Sequence, residues 1–227
     1  TSPANSSMRR AAIRRTTTLA AVLHSIRWRI KDPDSLRRKL IARAKACEAK
    51  SSVLDINTTN LFRKVNDLAG IRLLYLNIAQ IGDINRSLLN VLEEQEYRLV
   101  DGPIANCWDV EYEGIFKSHK IKTSSRSTMY TSVHYVVQAN QRQKITCEIQ
   151  VRTLMDEVWG EVSHRVNYPE ESRSRSCRDQ LKVLARVTTA GIRLVDSIVK
   201  SHEEVTTTPC GVRVRPDRQR SGRRAER

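Results

Sequence analysis

The sequence predicts an α+β domain, a mixed sheet of about five strands flanked by helices. Three observations carry that prediction. Apolar residues recur at three-to-four spacing in four stretches of helical length, and five shorter stretches are β-branched, alternating or continuously apolar. The two kinds interleave along the chain. With 227 residues, 39% of them hydrophobic but only 5% aromatic, the chain has room for one core built mainly from Leu, Ile and Val, as a globular domain has and a disordered one does not.

Residues 1–8 are small and polar and read as a flexible end. From 9 to 29, Ile13, Leu19, Ala20, Leu23 and Ile26 follow near-helical spacing, which predicts a helix. Pro33 breaks it and suits a first helical turn, so a second helix is expected over 33–50, capped by Asp32 or Ser35 and burying Leu36, Leu40, Ile41 and Ala44. A polar connection over 51–60 and the short segment LFRKVND lead into AGIRLLYLNI, composed as a central strand. Residues 79–95 place Ile81, Ile84, Leu88, Leu89 and Leu92 on one helical face. Strands are expected at 96–101, 108–117, 131–138 and 144–152, the last two forming a hairpin. A helix over 153–166 and a long one over 175–203 complete the domain, which spans 9–205 with N-terminal helices at 9–50 and a core at 51–170. Residues 206–227 read as a basic disordered tail.

Charge is unevenly placed. The formal net charge is +15, and residues 1–50 alone hold 13 Lys and Arg against 3 acids. Such a field suits nucleotides, polyphosphate or nucleic acid. No apolar run is long enough to span a membrane or serve as a secretory signal, so no membrane partner is expected. Five scattered cysteines without a CxxC pair point to reduced thiols in the cytoplasm. Walker, Rossmann, zincin and hydrolase-elbow motifs are all missing, so a nucleotide site must hold phosphates with side chains.

Strand alternation puts Thr146, Glu148, Gln150 and Arg152 on one face of the hairpin and Ile145, Cys147, Ile149 and Val151 on the other, with Ser132 and His134 sharing a face of the partner strand. That row is either an ordinary solvated face or a site. Asp67, delivered just before the strand at 69–78, forms with Glu148 a carboxylate pair of the kind that holds one Mg²⁺ alongside substrate phosphates, although 81 residues of separation leave their proximity open.

Four strings in order, Arg29-Ile30-Lys31 with Ser35 and Lys39, Asp67-Leu68-Ala69-Gly70-Ile71-Arg72, Tyr130-Thr131-Ser132-Val133-His134, and Glu148-Ile149-Gln150-Val151-Arg152-Thr153 with Trp159 and His164, resemble the synthetase domain of the RelA/SpoT family over about residues 25–170. The resemblance implies a nucleotidyltransferase-like fold and transfer of the β,γ-pyrophosphate of ATP to the 3′-hydroxyl of GTP or GDP. It assigns Arg29 and Arg72 to the adenine, Lys31, Ser35 and Lys39 to the rest of the ATP site, and Asp67 and Glu148 to Mg²⁺, with Glu148 also drawing the acceptor proton. Tyr130 would stack on the acceptor base, and Arg126, His134, Gln150, Arg152 and Glu157 would line the acceptor pocket. Met129, Ser163 and Ala42 depart from the family pattern at positions usually held by Gly, an acid and a basic residue. These departures leave two further readings open: a toxic relative acting on the 3′ end of tRNA or making adenosine alarmones, and a non-catalytic RNA-binding module. The chain is similar to a small stand-alone synthetase without a hydrolase domain. Homo-oligomerisation through the apolar stripe at 175–203, and an antitoxin protein, are partners the sequence leaves open.

Overall fold

The computed structural model describes residues 19–125, 128–139, 144–168 and 171–207. A helical turn at 19–22 precedes β1 (Ser25–Ile30) and α1 (Pro33–Glu48). Next come α2 (Leu61–Lys64), β2 (Ala69–Tyr75), a 3-10 turn (Ile78–Gln80), α3 (Ile81–Glu94), β3 (Arg98–Cys107), α4 (Val110–Ser118), β4 (Lys122–Ser125), the hairpin β5 (Ser132–Gln138) and β6 (Thr146–Thr153), α5 (Leu154–Asn167) and α6 (Arg175–Thr207). The strands form one mixed sheet in the order β1-β2-β6-β5-β3-β4, with β2–β6 and β3–β4 parallel and the other pairs antiparallel. The α+β class holds, with six strands among the described residues rather than about five.

One face of the sheet makes the core. Leu73 and Tyr75 of β2, Val133, Tyr135 and Val137 of β5, and Ile149 and Val151 of β6 pack against Ile81, Ile84 and Leu88 of α3, Tyr112 and Phe116 of α4, and Ile192 of α6. The i, i+3, i+4 stripe of α3 is what buries it. A buried hydroxyl needs a partner, and Tyr135 finds one by donating to Asn85 Oδ1 at 2.8 Å. On the other face α5 crosses the C-terminal ends of β2 and β6. It is held from behind by α6, where Trp159 Nε1 donates to the Leu181 carbonyl at 2.9 Å.

Several expectations are corrected. The helix expected over 9–29 gives way to β1 at its C-terminal end, because SIRWRI also alternates with period two and pairs antiparallel with β2 from Ser25↔Leu74 to Ile30↔Ala69. Residues 110–118 form a helix instead of a strand. Asp109 caps it by accepting from the Glu111 and Tyr112 amides, and Tyr112 and Phe116, one turn apart, are buried together. The polar edge strand KTSS at 122–125 has no apolar alternation to announce it. Trp28 is 78% exposed on the sheet edge. Ile145 precedes β6 and is exposed rather than core-facing. The flexible end over 1–8 and almost all of the basic tail lie outside the described residues, as does Arg126.

Candidate active site

Register builds the site. Arg27 pairs with Arg72, Arg72 with Gln150 and Gln150 with His134, so these four side chains form a row across β1, β2, β6 and β5 on the face opposite the core. One row on, Arg29 pairs with Gly70 and Gly70 with Glu148. Gly70 has no side chain to fill the floor between them, and the stem of Arg29 lies over it.

Asp67 enters at the head of β2. The segment before it is tied down by buried Val65 and by Thr146, whose hydroxyl lies 3.0 Å from both the Phe62 carbonyl and Asn66 Oδ1. Lys31, just past β1, donates to Asp67 Oδ2 at 2.8 Å, and Lys39 of α1 donates to Oδ1 at 2.8 Å. Pro33 starts α1 and Asp32 caps it by accepting from the Ser35 amide at 2.9 Å, which aims Lys39 inward. Burial alone raises the Asp67 pKa, but the two lysines override it and bring it to about 2. Glu148 behaves similarly. Burial pushes its pKa up, while hydrogen bonds from His134 Nδ1 at 3.1 Å and Gln150 Nε2 at 2.6 Å leave it below the ordinary value. Both carboxylates line one cavity with Arg27, Arg29, Arg72 and Gln150.

A second pocket adjoins the first and shares Arg72 and Gln150 with it. Tyr130 and Arg152 stand on one side and Trp159, His164 and Tyr168 on the other. The Tyr130 hydroxyl lies 3.2 Å from His134 Nε2, which links it through the imidazole to Glu148, and the Arg152 guanidinium sits 5.8 Å from the Tyr130 ring. Arg152 is buried and ion-paired to Glu157, and its Nε has no hydrogen-bond partner. A Cβ at Gly160 would come within 2.6 Å of Arg152 Nη1, so a larger residue there would have to push the guanidinium aside.

Residues 28–173, which contain nearly all of these side chains, match the model of the region found in RelA/SpoT proteins. The chain belongs to the RelA/SpoT family. No curated protein sequence matches it. Among solved structures it is similar to a GTP pyrophosphokinase family protein from Streptococcus pneumoniae, with a TM-score of 0.60 and 18% identity over 89% of this chain and 92% of that one. It is also similar to the small alarmone synthetase 1 from Bacillus subtilis bound to its product pppGpp, with a TM-score of 0.57 and 18% identity over 89% of this chain and 94% of that one. The same Bacillus protein bound to AMPCPP gives a TM-score of 0.56 at 16% identity over 89% and 94%. At these identities the likeness is one of fold.

Of the residues picked from the sequence, this RelA/SpoT chain brings Arg29, Arg72, Asp67, Glu148 and Gln150 to one cavity and Tyr130 and Arg152 to its neighbour. Lys31 and Lys39 join through Asp67, His134 through Glu148, and Glu157 through Arg72 and Arg152. Ser35 lines neither pocket; its hydroxyl accepts from Arg38 at 3.1 Å on the exposed side of α1. Sequence reading missed Arg27, Glu161 and Tyr168. Arg27 becomes visible once β1 is read with period two, whereas Glu161 and Tyr168 reach the site only through the crossing of α5. No cluster of three or more metal-ligating side chains occurs among the described residues. Two ionised carboxylates in one cavity nonetheless fit Mg²⁺, which takes one or two protein carboxylates and completes its shell with water and phosphate.

Proposed function

We propose that the protein transfers the β,γ-pyrophosphate of ATP to the 3′-hydroxyl of GTP or GDP. The observation that carries this reading is the pair of adjoining pockets. One holds two carboxylates ringed by Arg29, Lys31, Lys39 and Arg72, the other a tyrosine and a buried arginine, and Gln150 and Arg72 form their common wall. The solved synthetase bound to pppGpp supports it at the level of fold.

In this reading Lys31 and Lys39 exchange Asp67 for the phosphates of ATP, and Asp67 and Glu148 would hold Mg²⁺. Bound there, the ion neutralises charge on the transferring group. The acceptor 3′-oxygen attacks the β-phosphorus, the bridging bond to the α-phosphate breaks, and AMP leaves. Glu148 takes the proton of the attacking hydroxyl, its carboxylate held in place by His134 and Gln150. Tyr130 stacks on the acceptor base and Arg152 backs it. The chemistry asks the protein mainly for positioning and charge compensation, which this ring of cations supplies.

The test is a transfer assay with γ-labelled ATP and Mg²⁺, offering GTP, GDP, ATP and deacylated tRNA as separate acceptors. Label on a guanine nucleotide that disappears in Glu148→Ala is the expected result. Glu148-dependent label on tRNA or on ATP would replace the acceptor with the toxin's. No transfer to any acceptor would overturn the enzyme reading in favour of a nucleic-acid-binding module.

A further inference from the structure

Tyr130, His134 and Glu148 form one chain of contacts at the β5–β6 hairpin. His134 pairs with Gln150, and Glu148 stands two residues earlier on β6, so the imidazole reaches the carboxylate diagonally, Nδ1 to Oε1 at 3.1 Å. Tyr130 lies two residues ahead of β5, and its hydroxyl meets the other ring nitrogen, Nε2, at 3.2 Å. The two rings stand edge to face, 5.8 Å apart at 78°. The imidazole thus has a carboxylate at one nitrogen and a phenol at the other.

That arrangement fixes where the protons lie. Burial raises the Glu148 pKa, but hydrogen bonds hold it below the ordinary value, so the carboxylate is ionised and can only accept. Nδ1 therefore carries the proton of its bond to Oε1. A neutral imidazole that donates from Nδ1 has only a lone pair at Nε2, and it needs a donor there. Tyr130 supplies one, because burial raises its pKa against the pull of Arg152 and the phenol keeps its proton.

We propose that Tyr130, beyond offering its ring to the acceptor, is a positioning residue for the general base: its hydroxyl holds the His134 ring, and that ring holds Glu148. The inference rests on reading Glu148 as the base and Tyr130 as the acceptor's platform. Glu148 must present a lone pair to the attacking hydroxyl, which requires its carboxylate plane to be set. Gln150 Nε2 donates to Oε2 at 2.6 Å and His134 Nδ1 to Oε1, one donor for each oxygen. An imidazole turns readily about its Cβ–Cγ bond, and the contact that opposes turning at its far nitrogen is Tyr130. Since Nδ1 already bears a proton, His134 orients the carboxylate without taking the proton that Glu148 receives from the acceptor. One tyrosine in this way ties the place of the acceptor base to the aim of the group that deprotonates its 3′-oxygen.

Two measurements test this. In the transfer assay Tyr130→Phe should lower kcat by about three- to tenfold, as loss of one neutral hydrogen bond allows, with the acceptor KM and the thermal midpoint unchanged. A merely structural role would not give that split. In a His134→Ala background the same substitution should lower kcat no further, since the hydroxyl acts through the imidazole. An unchanged kcat, a rise in KM in its place, or a full additional loss in the His134→Ala background would each overturn the inference. The second measurement is nitrogen NMR of the full chain labelled at histidine, without nucleotide or metal, with the His134 signals identified by their absence from His134→Ala. Nδ1 should be protonated and Nε2 bare, and the Nε2 resonance should move in Tyr130→Phe. A protonated Nε2 in a wild type that does transfer would overturn this inference alone. The expected tautomer in a wild type that transfers to no acceptor would instead overturn the enzyme reading, and the positioning role with it.

Discussion

Asp67 and Glu148 were each legible in the sequence, but their nearness was not. Both stand inside specific strings, and parallel pairing of β2 with β6 supplies the proximity that their sequence separation withheld. Glu161 belongs to no string, and it reaches Arg72 only where α5 crosses β2. Either Asp67→Ala or Glu148→Ala should abolish transfer while leaving the thermal midpoint near that of the wild type, since neither side chain contributes to the apolar core. A variant retaining wild-type rate would remove its carboxylate from the mechanism. Tyr130 separates two roles. It lines the second pocket and its hydroxyl reaches His134. Because stacking on a base is worth about 1–3 kcal/mol, Tyr130→Ala should raise the acceptor KM by about tenfold or more, whereas Tyr130→Phe keeps the ring and should keep the KM. Equal KM values for all three would refute stacking.

At the scale of elements, the hairpin β5–β6, the amphipathic α3 and the long α6 were legible because their periodicities are unambiguous. β1 and α4 were not, since short segments with few apolar residues fit both periods, and what decides them is a strand partner in one case and an aspartate cap in the other. The start of α5 carries its own signature. Thr153 caps the helix by accepting from the Asp156 amide at 3.1 Å, and its hydroxyl donates to Asp156 Oδ2 at 2.7 Å. Asp156 is buried, and burial lifts its pKa from 3.8 to about 6 despite these bonds and nearby Arg152. An acid whose folded pKa lies above its unfolded value binds more protons when folded, so its charged form costs stability at neutral pH. That cost, about 3 kcal/mol for a shift of this size, should fade as pH falls from about 7 toward 4. Unfolding of the wild type and of Asp156→Asn, followed over that range, should show the wild type gaining on the variant as pH falls. A pH-independent difference would rule out titration of this carboxyl in the folded state.

For the whole molecule the question is what the positive charge holds in place. α1 buries no residue at all, so the apolar stripe expected over 33–50 is not what seats it. Its anchors are polar: Lys39 on Asp67, and Arg38 with its Nη2 3.4 Å from the Tyr168 hydroxyl and its guanidinium 5.5 Å from that ring. The helix thus touches the Asp67 side of the first cavity and the far wall of the second while contributing nothing to the core. Arg37, Arg38, Lys39, Arg43 and Lys45 ride on it, and Arg27, Arg29 and Lys31 on or beside β1. The sheet and α3, by contrast, are joined by apolar contacts that salt does not screen. Raising ionic strength from about 0.1 M to about 1 M shortens the Debye length from about 10 Å to about 3 Å. The KM for ATP should then rise by about an order of magnitude as the field at the donor mouth is screened, while the thermal midpoint moves little. The two responses separate because the field acts on the substrate and on α1, whereas the core is indifferent to it. A KM for ATP that stays flat across that range would mean that the cations act only through contacts already buried beside Asp67, and that the charge gathered on β1 and α1 serves some other partner.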